Sequence, residues 1–428
     1  LSKTAVIKNK QLFSLQVFNA MRFGIAILIA IVLAKIADTE TINIYESLVL
    51  IGTTFTFFYA SAINHTLVPF AEGTSEEGRK TIYYTAFRML LIGVIISTLA
   101  MFVYAHTVSK EPEQPYLYLY IAFIMFNTPA LLAENILLIE KRLNSLVIYG
   151  ALAFGLQLAA VSIPLLFGNL MRSILLLAVV GILKFGYTIF LINKYNIWSK
   201  SKEQFKTLFK VSSPVMGSLF LANGYLYIST FLIKFNSSAE SFNIFRYGSR
   251  EFPLFMILAN SFSTIQSGLL AKAKGNIDSA LEQMKKSSVR LMNQLFPIAI
   301  LLSLSSSFLF KIAFNDSLAE AYQIFNILLL ILLSRLLFPQ SILLAIKKNR
   351  PMLTASFLEF TLGISLSIVL IQTHGIIGVA WAMVAAHIID KVVLCYYAHK
   401  EGFALNSYFP WKIYLVYSIP LVILVILL

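Results

Sequence analysis

Charged side chains set inside long apolar stretches are the chemistry-bearing residues of this chain. Seven cations fall there (Arg22, Arg88, Lys184, Arg246, Arg250, Arg335 and Lys391), with five carboxylates (Glu46, Glu134, Glu251, Glu359 and Asp390). Each costs about 2.5–3.5 kcal/mol at a bilayer centre on translocon scales, so it must face a wet cavity, pair or snorkel. Arg22 lies about ten residues into its stretch, roughly 15 Å at 1.5 Å per residue, beyond the reach of an interface. Arg335 is as deep. Arg246 and Arg250 are four apart and share a helix face, with Glu251 beside it. A guanidinium binds oxyanions through two parallel hydrogen bonds and stays charged at any accessible pH. Arg22, Arg246, Arg250 and Arg335, joined by Lys184, therefore form the candidate site for a phosphate- or carboxylate-bearing ligand. Glu46 and Glu251 are the candidates to hold these arginines when the site is empty, or to carry a coupling proton. Arg88 is close enough to one end of its stretch to snorkel. Asp390 and Lys391 are expected to pair locally, and Glu134 to serve the basic Lys141-Arg142 loop.

The elements that position these residues follow from composition. The chain of 428 residues is 58% hydrophobic and 13% charged, against roughly 25% charged in soluble domains. Its mean hydropathy is +0.79. Lipid is therefore the solvent, and an all-α integral membrane protein is expected. Crossing a bilayer takes about 20 apolar residues per helix. Suitable segments run near 12–36, 44–69, 82–106, 116–139, 146–167, 171–193, 212–235, 242–270, 290–314, 320–346, 352–372 and 376–398. A thirteenth candidate at 411–428 would leave the C-terminus outside, which suggests a missing fourteenth. No removable signal peptide is expected, because no charged-apolar-small pattern opens the chain. The single cysteine, Cys395, leaves disulfides no role.

Two halves repeat one another. Glu40-Thr41-Ile42-Asn43-Ile44-Tyr45 returns as Glu240-Ser241-Phe242-Asn243-Ile244-Phe245, and Phe70-Ala71-Glu72-Gly73 as Lys272-Ala273-Lys274-Gly275. Arg88 answers Arg290, and Ile136-Leu137-Leu138 with Lys141-Arg142 answers Ile342-Leu343-Leu344 with Lys347-Lys348. On this register Glu46 stands in the repeat position of Arg246. Two apolar halves are the usual plan of a secondary transporter, with the ligand between them. One set of loops carries 22 basic residues and the other 5, so the basic set, and the N-terminus with it, belongs on the cytoplasmic side. Six spans per half make a parallel repeat about a pseudo-twofold along the membrane normal. The expected divisions are a six-helix lobe at 1–192, a linker at 193–211, a second six-helix lobe at 212–398 and an extension at 399–428. In the linker, Lys200, Lys202, Lys206 and Lys210 alternate with Phe205, Leu208 and Phe209, the pattern of an amphipathic helix on a membrane surface. The net charge of +14 is spread over short loops without a basic-aromatic module, so nucleic acid is not an expected partner.

With these residues in view, the chain resembles the Wzx-type polysaccharide flippases of the multidrug/oligosaccharidyl-lipid/polysaccharide exporter superfamily. The likeness covers nearly the whole chain. It rests on the acid-led openings from Glu40 to Tyr45 and from Glu240 to Phe245, and on Phe245-Arg246-Tyr247-Gly248-Ser249-Arg250-Glu251-Phe252-Pro253-Leu254. Lys10-Gln11-Leu12-Phe13 and His374-Gly375-Ile376-Ile377-Gly378-Val379-Ala380-Trp381-Ala382 add to it. Asn43 and Asn243 stand where family members often have Gly. The seventh span, Tyr225-Leu226-Tyr227-Ile228-Ser229-Thr230, lacks the acid found there in the family. The resemblance implies two six-helix lobes around a V-shaped central cavity in a bacterial cytoplasmic membrane. It also implies movement of undecaprenyl-diphosphate-linked oligosaccharide from the inner to the outer leaflet. An H+ or Na+ ion would drive the lobes, and the protein would act as a monomer with membrane lipid around it, without cofactor or bound metal.

Rival readings stay open. A drug or cation antiporter would share the fold. A sugar transporter of the major facilitator kind would carry Gly-x-x-x-Asp-Arg where this chain reads Glu72-Gly73-Thr74-Ser75-Glu76-Glu77-Gly78-Arg79. A membrane-embedded polysaccharide polymerase or ligase would need a long external loop bearing Arg or His. Here His106 and His374 stand isolated in short loops, so an enzyme is not expected.

Overall fold

A backbone in hydrocarbon has no water to bond, so apolar stretches of this length must satisfy their peptide groups internally as helices. The computed structural model describes residues 3–71, 74–195, 197–198, 202–250, 252–273, 276–348 and 350–428, with side chains excepted at 3–13, 202 and 253. Among these residues helices are the only regular secondary structure, joined by short turns. The chain divides into two compact units, Leu1–Phe220 and Leu221–Leu428.

The first unit holds α1 (Lys3–Ile36), α2 (Thr39–Ala71), α3 (Glu76–Thr107), α4 (Glu113–Asn127), α5 (Leu132–Ile139), α6 (Leu143–Leu165) and α7 (Leu170–Lys194). Within it α1 packs on α6, α4 on α7 and α2 on α3. Then α8 (Lys202–Asn236) runs unbroken through the dividing point, so among the described residues the amphipathic stretch expected as a linker is the opening of the seventh span's own helix. Its opening turns lie against the first unit. Leu208 is fully buried in that unit's core, and Arg88 sits over the Tyr84 and Phe205 rings at 5.9 and 5.2 Å. Arg88 is thus held by aromatic faces.

The second unit continues with α9 (Ala239–Gly248), α10 (Pro253–Lys272), α11 (Ile277–Ala313), α12 (Ala321–Leu329), α13 (Ile331–Arg335), α14 (Pro339–Ala345), α15 (Arg350–Lys400), α16 (Leu405–Tyr408) and α17 (Trp411–Leu427). Here α9 packs on α12, α10 on α14, and α12, α13 and α14 on α15. Eleven helices are long and apolar enough to cross a membrane among the described residues. One of them, the 51-residue α15, turns back at Gly375 (φ 55, ψ −141). Only glycine adopts that φ without strain, and the turn yields the expected eleventh and twelfth spans. The 17-residue α17 lies against α11, with Tyr417 stacked on Phe296 at 5.4 Å.

Among the described residues three spans are interrupted, each with a proline at one of its breaks. The fourth breaks at a 3-10 turn, Pro129–Leu131, between α4 and α5. The eighth, read from hydropathy as one helix, is two, because Pro253 cannot bond backward and begins α10. The tenth is divided among α12, α13 and α14, the last begun by Pro339.

The repeat in sequence is also a repeat of backbone motifs. Asp38 accepts a hydrogen bond from the Thr41 amide at 2.7 Å, and Ser238 accepts one from the Ser241 amide at 3.1 Å. These N-caps open α2 and α9 at matching positions. At the other end, Lys141 (φ 56) and Lys347 (φ 60) both take the left-handed conformation. The amides of Arg142 and Lys348 bond the carbonyls of Leu137 and Leu343, each at 2.8 Å. Both copies thus close on the same left-handed C-cap.

Hydrogen bonds to Thr41 hold the exposed Asp38 carboxyl below its usual range. A carboxylate depressed in the folded state stabilises above its unfolded pKa and loses that contribution as pH falls through the folded one. Each cap should contribute about 1 kcal/mol. Asp38→Ala should therefore lower the melting temperature of the detergent-purified protein at neutral pH but have little effect in acid. Ser238→Ala should lower it equally at both.

Candidate functional site

The breaks in the fourth and tenth spans place polar side chains where straight helices would present only packing. In the first unit the break sets Asn127 at the end of α4 and Glu134 in the first turn of α5. Glu134 accepts a hydrogen bond from Arg22 of α1, forming a salt bridge. The Arg22 guanidinium also lies over the Phe18 and Phe154 rings at 5.0 and 5.8 Å. Lys184 of α7, 9% exposed, donates to the Asn127 side-chain oxygen and lies within electrostatic reach of Glu134. Tyr149 completes the group, stacked on Tyr187 at 5.1 Å. This cluster sets two cations against one carboxylate. A cavity of about 340 Å³, walled by Ile148, Leu152, Leu156 and Leu183, reaches Lys184 and the two tyrosines. Arg22 and Lys184 thus belong to one cluster. Glu134 does not serve the Lys141-Arg142 loop: the helix break turns it toward Arg22, which is 112 residues away in the chain.

In the second unit, Arg250 occupies the gap between α9 and α10, and Arg335 ends α13. Both line a cavity of about 30 Å³ with Ser249, Phe252, Phe255 and Phe325, room for a water or two. Arg250 lies over the Tyr247 ring at 5.1 Å. Tyr247, buried, meets Phe314 edge-on at 5.0 Å. Gly248 lets this corner close: a Cβ there would run into the Ala321 carbonyl oxygen and Ile324 of α12. Arg246, half-buried, lies near Tyr227 of α8 and does not line this cavity. Glu46 is fully buried in α2 and lines neither cavity. Glu251 lies outside the described residues.

A second polar cluster is only half legible in the sequence. Glu359, 3% exposed, meets His387 Nδ1 at 2.6 Å across the turn in α15. Asp390 pairs with Lys391 at 2.9 Å, the local pairing expected of them. The sequence signal for His387 is its spacing: Asp390 and Lys391 follow it by three and four residues, on one helix face.

No family model and no curated protein matches the chain. Solved structures do. One is the lipid II flippase MurJ in an inward closed conformation, with a TM-score of 0.71 at 18% identity over 99% of this chain and 92% of that one. Another is a MOP-superfamily transporter from Pyrococcus furiosus, with a TM-score of 0.62 at 12% identity over 92% and 95%. A third is a multidrug-resistance MATE-family transporter facing inward, with a TM-score of 0.62 at 15% identity over 90% and 94%. The chain therefore has the fold of the MOP-superfamily transporters. Within that fold it is similar to both the MurJ and the MATE structures.

Removing Arg22 alone would strand Glu134 in a largely dry setting. Such a loss falls between that of an exposed and a fully buried pair, about 1–3 kcal/mol. Arg22→Ala should lower the unfolding midpoint in detergent, and Arg22→Ala with Glu134→Ala should recover part of it, because the stranded carboxylate is gone and Lys184 keeps its bond to Asn127.

Proposed function

We propose that this chain moves an undecaprenyl-diphosphate-linked oligosaccharide from the inner to the outer leaflet of a bacterial cytoplasmic membrane by alternating access. The observation that carries the reading is the convergence of Arg250 and Arg335 on one cavity, each at a helix break. Guanidinium pairs bind phosphate oxygens with charge-assisted hydrogen bonds, and interrupted membrane helices are where secondary transporters commonly place their ligands. The excess cation of the Arg22–Glu134–Lys184 cluster adds to the same preference for an anion. The small cavity at Arg250 fits a closed state, and admitting a diphosphate requires α9 and α10 to part at their junction. Arg246 and Glu46 are proposed to meet the ligand or its coupling ion later in the cycle, with Glu251. The protein is proposed to work as a monomer with its N-terminus cytoplasmic, driven by H+ or Na+.

One observation favours a cation antiporter instead: the buried carboxylates Glu359 and Asp390. Each already has a basic partner, His387 and Lys391, so neither stands ready for a cationic drug. The anionic substrate is the stronger reading.

Losing one charged hydrogen-bond donor costs about 1.5–3 kcal/mol, ten- to hundredfold in affinity. Arg250→Ala and Arg335→Ala should each abolish surface polysaccharide and accumulate its lipid-linked precursor in cells, with the protein still inserted in the membrane. Unchanged polysaccharide, or lost resistance to cationic dyes with export intact, would refute the assignment.

A further inference from the structure

The cluster around Glu359 has the make-up of a proton site, and Arg335 joins it to the anion cavity. Glu359 stands on the first limb of α15 and His387 on the second, so the Gly375 turn brings an acid and an imidazole together. Their 2.6 Å contact, with Glu359 3% exposed, is a short hydrogen bond shielded from water. Tyr225 of α8 bonds to Glu359 from another side, and Arg335 of α13 lies within electrostatic reach. Asp390 and Lys391 face the pair from the second limb. Beyond them Cys395 lies beside Tyr408 of α16. With His387 neutral, the charges of Glu359 and Asp390 balance those of Arg335 and Lys391. One more proton makes the cluster positive. A metal cation would suit it poorly, because hard cations want several oxygen ligands, whereas imidazole and ammonium groups take up the carboxylates here.

We propose that Glu359 and His387 form a proton-binding pair linked through Arg335 to anion binding in the Arg250–Arg335 cavity, so that each event strengthens the other. This rests on the anionic-substrate reading of that cavity. The proton comes from water onto the Glu359–His387 hydrogen bond. Glu359 then no longer offsets the charge of Arg335, whose positive field falls on the neighbouring cavity. Linkage is reciprocal: an anion seated against Arg335 must draw a proton onto the pair by the same free energy.

The test uses the full chain in lipid nanodiscs, with farnesyl diphosphate as the anion. Calorimetric titration in two buffers of different ionisation enthalpy reads the protons taken up per anion bound. The wild type should take up part of a proton, and its affinity should rise by about fivefold more than that of Glu359→Gln between about pH 8 and pH 6. The probe's own titration is common to both proteins and cancels in the comparison. His387→Gln keeps a hydrogen-bonding side chain but cannot titrate. It should lose the uptake as well, which guards against a fold defect in the Glu359 variant. Binding with the same uptake and pH slope in both variants would overturn the linkage alone, as would proton release or a requirement for sodium. No binding at any pH would overturn the anion cavity, and the linkage with it.

Discussion

Charge in hydrocarbon is tolerated only where a counter-charge, a hydrogen-bond partner, an aromatic face or a cavity receives it, and this constraint organises the molecule. The described in-span charges obey it by different routes. Arg22 and Glu134 pair directly, Lys184 bonds an amide, and Arg88 rests on aromatic rings. Arg250 and Arg335 line a small cavity. The prolines make these arrangements possible, because a broken helix frees room and direction that a regular one denies its side chains. Pro129, Pro253 and Pro339 therefore serve the site without entering it, by deciding where Glu134, Arg250 and Arg335 come to lie.

Much of this is legible in the order of the residues. Hydropathy locates twelve spans, and the helices agree with them. The depth of Arg22 and Arg335 marks them as side chains that need a local partner or enclosure, and Arg250 is marked by the helix face it shares with Arg246. What escapes are contacts between distant parts of the chain. Glu134 reads as a neighbour of the Lys141-Arg142 loop because sequence distance is all that one dimension offers, yet its partner lies on the first helix. His387 is passed over for the same reason: its acid sits on the other side of a glycine turn. The interruption of the eighth span is in plain view as Pro253, but an averaged hydropathy window runs straight through a single proline.

Structural likeness and local chemistry answer separate questions. The fold is shared with flippase and drug-transporter structures at 18% identity or less, so it cannot choose between their cargoes. The side chains bear on the proposed choice: an excess of positive charge at the Arg22–Glu134–Lys184 cluster and two arginines lining another cavity support the reading of a negatively charged headgroup, while Glu359 and Asp390 already have basic neighbours.

The two left-handed lysines carry a consequence of their own. Lys141 and Lys347 sit where glycine would be at ease and a side chain is strained. A glycine would end either helix more comfortably, but it would contribute nothing to the count of positive charges that keeps a loop from being translocated. On the proposed orientation, with both loops cytoplasmic, the residue that punctuates each helix is also an instruction to the insertion machinery, and backbone comfort gives way to membrane topology at both.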